Sequence, residues 1–174
     1  EQVAGRGRMG RQWHSPPNTG LYFSFIARPS FAQELGGVIP LMTAIAVAEV
    51  CEQLDVPTTL KWPNDVLVRR RKLAGILCEA RGVPNSWSAI VGVGLNLRQP
   101  EGGWPVDIPG ISLSECTDAE IDAQVVAPAL LGRLEAWLAK VKVSGFAAVI
   151  PEWEARGMAK GSRIRRGDLT GTFE

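Results

Sequence analysis

The chain has 174 residues, of which 45% are apolar and 21% charged. This is the balance of an ordinary globular domain rather than of a disordered or membrane-embedded chain. The net charge of +1 argues against a strongly nucleic-acid-binding protein. Positive charge is nevertheless concentrated, because residues 1–13, 61–81 and 156–168 carry +2, +4 and +4 and leave −9 for the rest. Such segments can surround a bound phosphate or another anion.

The three cysteines form no C-x-x-C pair, and an odd number fits no closed disulfide framework. We therefore expect reduced thiols in a cytoplasmic protein. No signal peptide is evident, and the longest uncharged apolar run, 36–48, is too short to cross a membrane. Because the chain begins at Glu1 rather than Met and Glu174 falls in a predicted strand, we expect it to be a fragment.

The predicted elements include both strands and helices. In chain order they are a loop over 1–20, a strand over 21–28, a buried helix over 35–54, strands over 58–62, 65–69, 72–80 and 87–97, a surface loop over 98–112, a helix capped by Asp118 and reaching about Lys142, and a helix over 144–155. This order predicts an α+β fold in which helices pack on one face of a mixed β-sheet. A change of pattern after Gly157 predicts a domain boundary between 1–157 and 158–174.

The first segment with chemical potential is GRGRMGRQW over 5–13. Alternating glycines let successive backbone N–H groups converge on an anion, while the arginines add charge and forked donors. Trp13 can stack on a purine. The same letters also suit a solvated arginine–glycine tail that touches nucleic acid nonspecifically, and the segment alone does not decide between the two.

The second segment is KWPND over 61–65. Pro63 fixes the backbone and Asn64-Asp65 favours a tight turn, so one interpretation is a connection between strands with a solvated lysine. The other is part of an ATP site, because three polar side chains of different types crowd around one rigid turn.

The third and fourth segments are KLAGILCE over 72–79 and VGVGLNL over 91–97. Strand alternation puts Gly92, Gly94 and Asn96 on one face of the later strand, opposite a continuous apolar face. Gly75 is expected to share a face with Leu73 and Leu77. Glycine weakens a strand interior, so two in succession on one face predict a flat apolar ligand across neighbouring strands. The alternative is β-bulges or a helix packed on the glycines.

No metal site is predicted from a side-chain cluster. His14 is the only histidine and the cysteines are scattered, so neither a zinc site nor a Cys–His nucleophile can be assembled.

Taken together, the segments resemble the catalytic domain of biotin–protein ligases over about residues 1–157. The matching stretches are Gln2 with GRGR (5–8), Gly10, Arg11 and Trp13, Ser15-Pro16, LYFS (21–24), KWPND (61–65), KLAGIL (72–77) and GVGLN (92–96). In addition, Gly171-Thr172-Phe173 resembles part of the family's small C-terminal SH3-like module. The resemblance implies a biotin/lipoate ligase-like α+β catalytic domain, N-terminally incomplete, followed by the start of an SH3-like β-barrel.

The resemblance also implies roles for individual residues. It assigns catalysis to Lys72, Arg8 and Asp65, with Asp65 positioning the acceptor lysine or the metal-bound phosphates. Binding of biotin or its adenylate is implied for Gln2, Gly5, Arg6, Gly7, Arg8, Trp13, Lys72, Gly75, Gly94 and Asn96. Gly75 and Gly94 would floor the biotin pocket with Asn96 at its edge. Contact with ATP is implied for Trp13, Lys61 and Asn64, with Trp13 walling the adenine.

The implied activity is ATP-dependent conversion of biotin to biotinyl-5′-AMP, with Mg²⁺, and transfer of biotin to a lysine of a biotin carboxyl carrier protein. A homodimer is left open, and DNA is a partner only if a helix-turn-helix precedes this chain. Two departures stand out: the family's upstream Ser-Thr-Asn segment lies outside the chain, and Met9 stands where a basic residue is common.

Two rival functions remain. Lipoate and octanoate ligases share the fold, but their loop and lysine motifs differ from those quoted above. A basic nucleic-acid-binding module would use the three positive segments, yet it explains neither the glycine face nor the near-neutral total charge.

Overall fold

The structure is a computed structural model that describes residues 1–31, 33–83, 86–107, 109–157, 161–166 and 169–172. Within them the chain forms seven strands and three α-helices. In order, these are β1 Gly20–Ala27, α1 Val38–Glu52, β2 Thr59–Lys61, β3 Asp65–Val68, β4 Arg71–Val83, β5 Ser86–Asn96, α2 Ala123–Ser144, α3 Phe146–Arg156, β6 Arg163–Arg166 and β7 Leu169–Thr172. The strands and helices predicted before residue 157 are all present, with boundaries shifted by a few residues.

Five strands form one sheet in the order β1-β5-β4-β3-β2, and every strand pair is antiparallel. The prediction of a mixed sheet was therefore wrong. Short turns join β2 to β3, β3 to β4 and β4 to β5, and parallel neighbours need a long crossover; β1 has a long connection but also pairs antiparallel, with β5. The β3–β4 turn consists of Arg69 and Arg70, whose φ angles are 49° and 66°, as a two-residue hairpin turn requires.

The helices pack on one face of the sheet, which confirms the predicted α+β class. Helix α1 lies between the sheet and the other two helices, so nearly all of its side chains are buried. This explains why its sequence is apolar on every side. Pro40 is accommodated because it lies in the first turn, where backbone N–H groups have no partner within the helix. No helix among the described residues packs on the opposite face of the sheet, which we call the open face.

Helix α2 starts later than predicted. Its N-cap is Asp122, whose carboxylate accepts a hydrogen bond from the Gln124 N–H at 2.9 Å, so the prediction of Asp118 as N-cap was wrong. Tertiary contacts decide the position: Ile121 is buried in the core, and the Arg98 guanidinium donates to the Ile121 carbonyl at 2.6 Å. These contacts hold the residues before Asp122 in an extended conformation.

The loop over 98–112 is only partly a surface loop, because Ile111 and Ser112 are buried. Beyond residue 157, β6 and β7 pair as an antiparallel hairpin. Phe173, part of the Gly-Thr-Phe segment, lies outside the described residues. The domain boundary and the SH3-like module therefore stay predictions. No helix in the described ranges combines the length and apolarity needed to span a bilayer.

Candidate functional site

A slot without side chains lies on the open face of the sheet. Gly75 of β4 and Gly94 of β5 are direct cross-strand partners, so their missing side chains coincide on one face. The indole of Trp13 lies over both: a Cβ on Gly94 would be 2.5 Å from its Cε2, and a Cβ on Gly75 would be 2.8 Å from its Cζ3. The two glycines therefore make room for one flat bicyclic ring.

Lys72 reaches this slot because β4 contains a bulge. Val66 pairs with Ala74 but Leu67 pairs with Lys72, which leaves Leu73 without a partner. Strict alternation would place Lys72 on the core face, whereas the extra residue turns it to the open face. Its Nζ comes 3.1 Å from a Cβ built on Gly75. Leu73 is fully buried in the core, so the expectation that it shares a face with Gly75 was wrong.

Asp65 holds the ammonium of Lys72. The Lys72 Nζ lies 2.7 Å from Asp65 Oδ1 and 5.1 Å from the centroid of the Trp13 ring. Asp65 is the cross-strand partner of Gly75, so carboxylate, ammonium and ring meet above the same point of the sheet. This fixes a positive charge at one end of the slot.

The arginine–glycine loop folds back on itself above the slot. Arg6 and Gln12 form an isolated antiparallel bridge, and Gly5 packs so tightly under the Trp13 carbonyl that a side chain there would overlap with it. The loop is tied to the sheet where Arg8 NH1 donates to Asn64 Oδ1 at 3.1 Å. Asn64 in turn donates from Nδ2 to the Ile76 carbonyl at 2.8 Å.

A cavity of about 370 Å³ lies between the loop and the sheet, within the range of small-molecule sites. It brings together most of the residues singled out in the sequence, namely Gln2, Arg6, Gly7, Arg8, Trp13, Asn64, Lys72, Gly75 and Gly94. Leu77, expected on the face of Gly75, and Ile90, expected on the face of Gly92 and Gly94, line it too, as do Phe23, Ser24 and Ile76, which were not foreseen. The alternation of β1 would have placed Ser24 on this face.

Tyr22 was also missed. It is the cross-strand partner of Gly94, and its hydroxyl lies 2.9 Å from Thr19 Oγ1. Burial raises the pKa of the Tyr22 phenol, although the hydrogen bond with Thr19 lowers it. The phenol therefore stays neutral beside the slot.

Four predicted residues do not line the cavity, namely Gly5, Lys61, Asp65 and Asn96; Asp65 acts on it only through its ion pair with Lys72. Gly5 lies within the arginine–glycine loop and packs against the Trp13 carbonyl. Lys61 is exposed on β2 and does not belong to the cavity wall. Asn96 is buried, and its amide donates to the main-chain carbonyls of Lys72 and Ile111 at 3.2 and 3.0 Å. The roles predicted for these residues stay predictions.

The environment of the cavity is cationic. Arg6, Arg8 and Lys72 line it, whereas no carboxylate is among the described residues of its wall. The described part of the chain also contains no group of three His, Cys, Asp or Glu side chains that could hold a metal ion.

The indole N–H of Trp13 is buried and has no hydrogen-bond acceptor among the described residues. Because an unsatisfied buried donor costs free energy, the position of the indole over the glycines is less stable than it would be with an acceptor.

Comparison with known proteins gives consistent matches. The model of the Biotin/lipoate A/B protein ligase family matches residues 1–96. The chain is 33% identical to the bifunctional ligase/repressor BirA of Bacillus subtilis, over 99% of this chain and 54% of that protein. It is 32% identical to a biotin–[acetyl-CoA-carboxylase] ligase of Paracoccus denitrificans, over 100% and 74% of the two.

A solved structure matches as well. The biotin protein ligase from Aquifex aeolicus in complex with biotin and ATP superposes with a TM-score of 0.82 at 33% identity, covering 98% of this chain and 72% of that chain. The chain spans about half the length of several of the curated relatives it matches.

Proposed function

Since the chain belongs to the Biotin/lipoate A/B protein ligase family, we propose that it uses ATP to convert biotin to biotinyl-5′-AMP and then transfers biotin to a lysine of a biotin carboxyl carrier protein. The observation that carries this proposal is the cross-strand pair Gly75–Gly94, which floors a slot for one bicyclic ring with the ammonium of Lys72 at its end.

The slot suits the fused rings of biotin. It accepts the indole of Trp13, a flat bicyclic group, and is flanked by polar groups such as Ser24 and Gln2 that can bond the ureido function. A ring bound on the glycines requires Trp13 to move. That movement releases an indole N–H from a buried site without an acceptor, which offsets part of its cost.

The cations suit the first reaction. A carboxylate oxygen of biotin attacks the α-phosphorus of ATP, a C–O–P linkage forms, and the bond to pyrophosphate breaks. Two anions meet and charge gathers on phosphate oxygens, so donors fixed in advance stabilise the transition state. Lys72 is held by Asp65, Arg8 is linked to Asn64, and both cations line the cavity in which the charge would develop.

Magnesium fits this site only as a partner of the nucleotide. The described residues of the cavity wall offer amide and carbonyl oxygens, and the nearby Asp65 carboxylate is already paired with Lys72, so the ion's ligands would come mainly from ATP. When bound there, it would supply charge neutralisation on the phosphates.

The second reaction needs an uncharged amine. The acceptor lysine attacks the carbonyl carbon of the adenylate, an amide forms, and AMP leaves while the amine loses a proton. Asp65 is the carboxylate nearest the ammonium of Lys72. We assign it the positioning of the incoming lysine, whose ammonium it can attract as it does that of Lys72.

Calorimetric titration with biotin and with lipoate, each with and without ATP and Mg²⁺, tests the proposal. We expect saturable binding of biotin and a tightly held biotinyl-adenylate that survives gel filtration. Binding of lipoate alone would assign the chain to the lipoate branch of the family. Response to neither acid, together with salt-dependent binding to nucleic acid, would instead support the binding-module alternative.

A further inference from the structure

The main chain of Lys72 is held by a segment outside the sheet. Its N–H donates to the Pro109 carbonyl at 2.7 Å, and its carbonyl accepts from the Ile111 N–H at 3.0 Å. Asn96 bridges the two segments by donating to the carbonyls of Lys72 and Ile111. Residues 109–111 thus act as a short additional strand beside Lys72, beyond the end of the β4–β5 ladder at Ala74 and Leu95.

Trp104 holds this segment in place. Its ring packs so closely on Gly110 that any side chain there would overlap with it. The Trp104 Nε1–H donates to Glu115 Oε2 at 2.9 Å. The same oxygen accepts from the Ser112 N–H at 2.9 Å and from the Ser112 hydroxyl at 2.8 Å. One carboxylate oxygen therefore joins both ends of the 104–112 loop.

The other carboxylate oxygen of Glu115 contacts β4, the strand that contains Lys72. Glu115 Oε1 accepts from Arg71 NH2 at 3.2 Å, and Arg71 directly precedes Lys72. Burial raises the pKa of Glu115, but the hydrogen bonds from Trp104 and Ser112 and the charge of Arg71 outweigh it, so the pKa is lowered. The carboxylate is therefore ionised at neutral pH.

We infer that Glu115 is a positioning residue for Lys72, fixing its main chain from one side through Arg71 and from the other through Trp104 and residues 109–111. The inference rests on the proposed function. Positioning matters because small displacements of a donor that faces developing charge lower the rate steeply. Glu115 acts only through Lys72 and does not line the cavity.

A double-mutant cycle between Glu115→Ala and Lys72→Ala tests this role, with steady-state pyrophosphate release in the presence of a biotin carboxyl carrier protein as the readout. In the wild-type background we expect Glu115→Ala to lower kcat on the order of tenfold while the KM for biotin changes less than about twofold. In the Lys72→Ala background we expect it to have no further effect, because the group it positions is gone. Equal losses in both backgrounds would mean a general structural role and would overturn the inference.

A milder variant keeps the test decisive if Glu115→Ala fails to fold. Glu115→Gln retains an oxygen for Trp104 and Ser112 but loses the ion pair with Arg71. We expect faster amide hydrogen exchange at Lys72 and Ile111, while the amides of β5 opposite β1 remain protected. Unchanged exchange at Lys72 and Ile111 would refute the inference.

The wild-type chain separates the two possible failures. If it makes no biotinyl-AMP, the proposed function fails. If it makes the adenylate and the variants behave like the wild type, only the role of Glu115 fails. Glu154→Ala, in the exposed part of α3, serves as the matched control and is expected to leave both kcat and exchange unchanged.

Discussion

At the scale of single residues, Lys72 is the side chain on which the proposed chemistry depends. Its side chain is two-thirds buried, and its ammonium lies 2.7 Å from Asp65 Oδ1. Little apolar packing depends on it, so we expect Lys72→Ala to fold normally. We expect its rate of adenylate formation to fall by about 10²–10³, the effect typical of one missing donor. Pyrophosphate release measures this, with Lys142→Ala at the exposed end of α2 as control. Release at the wild-type rate would contradict the assignment.

Arg8 has a different task, because it ties the loop to the sheet through Asn64. Replacement by glycine removes this link and adds backbone freedom. We expect Arg8→Gly to form the adenylate but to release it, so that lysines of bystander proteins become biotinylated. Mass spectrometry of a mixed protein sample measures this labelling. Arg11→Gly, which changes the same loop outside the cavity wall, should label no more than the wild type. Equal labelling by both variants would contradict the proposal that Arg8, through Asn64, retains the adenylate.

Much of the residue-level site was predictable from the sequence, since the glycines, Lys72 and the arginines were all singled out. The contacts of Glu115 with Trp104, Ser112 and Arg71 were not. A signal existed: Ser112 and Glu115 are spaced as in a capping box, and the structure shows both of its reciprocal hydrogen bonds. Its link to Trp104 and Arg71 could not be read from the sequence, because these contacts depend on how the loop folds over β4.

At the scale of elements, the two glycines of β5 provide a matched pair of substitutions. A Cβ on Gly94 would come 2.5 Å from Trp13, whereas one on Gly92 would have its nearest neighbour, Ser24 Oγ, at 3.7 Å. We expect Gly94→Ala to weaken biotin binding by about tenfold or more, because it fills the slot, and Gly92→Ala by less than about threefold. Calorimetric titration measures both. Equal affinities would show that the ring binds elsewhere on the sheet.

The element-level prediction from sequence succeeded where periodicity is strong and failed where tertiary contacts decide. Helix α1 and the strands follow from apolar patterns. The start of α2 at Asp122 depends on contacts of Ile121 and Arg98, which no local pattern contains. The bulge at Leu73 left only an indirect trace, since strict alternation would have put a lysine on the same face as the buried Ala74 and Ile76.

At the scale of the whole molecule, Cys51 reports on the integrity of the core. It lies on α1, fully buried, and burial raises the pKa of its thiol to about 12. At pH 8 only about one molecule in 10⁴ carries a thiolate there. In a variant with Cys78→Ser and Cys116→Ser, we expect alkylation of Cys51 by iodoacetamide to require unfolding. Its rate should follow the denaturant-induced loss of structure measured by circular dichroism. Rapid labelling in native buffer would contradict the packing of α1.

Because Leu73 is an extra, unpaired residue in β4, the number of residues in the paired strands matters as much as their identity. If one residue were inserted into β3 between Val66 and Leu67, Leu73 would gain a partner, the ladder with β4 would become regular, and the sheet could still assemble around its apolar side. The amine now in the cavity would then point into hydrocarbon, leaving a folded protein without its reaction. When related sequences are compared, the difference in residue number between β3 and β4 across this bulge should therefore weigh more than the identity of the aliphatic residues in either strand.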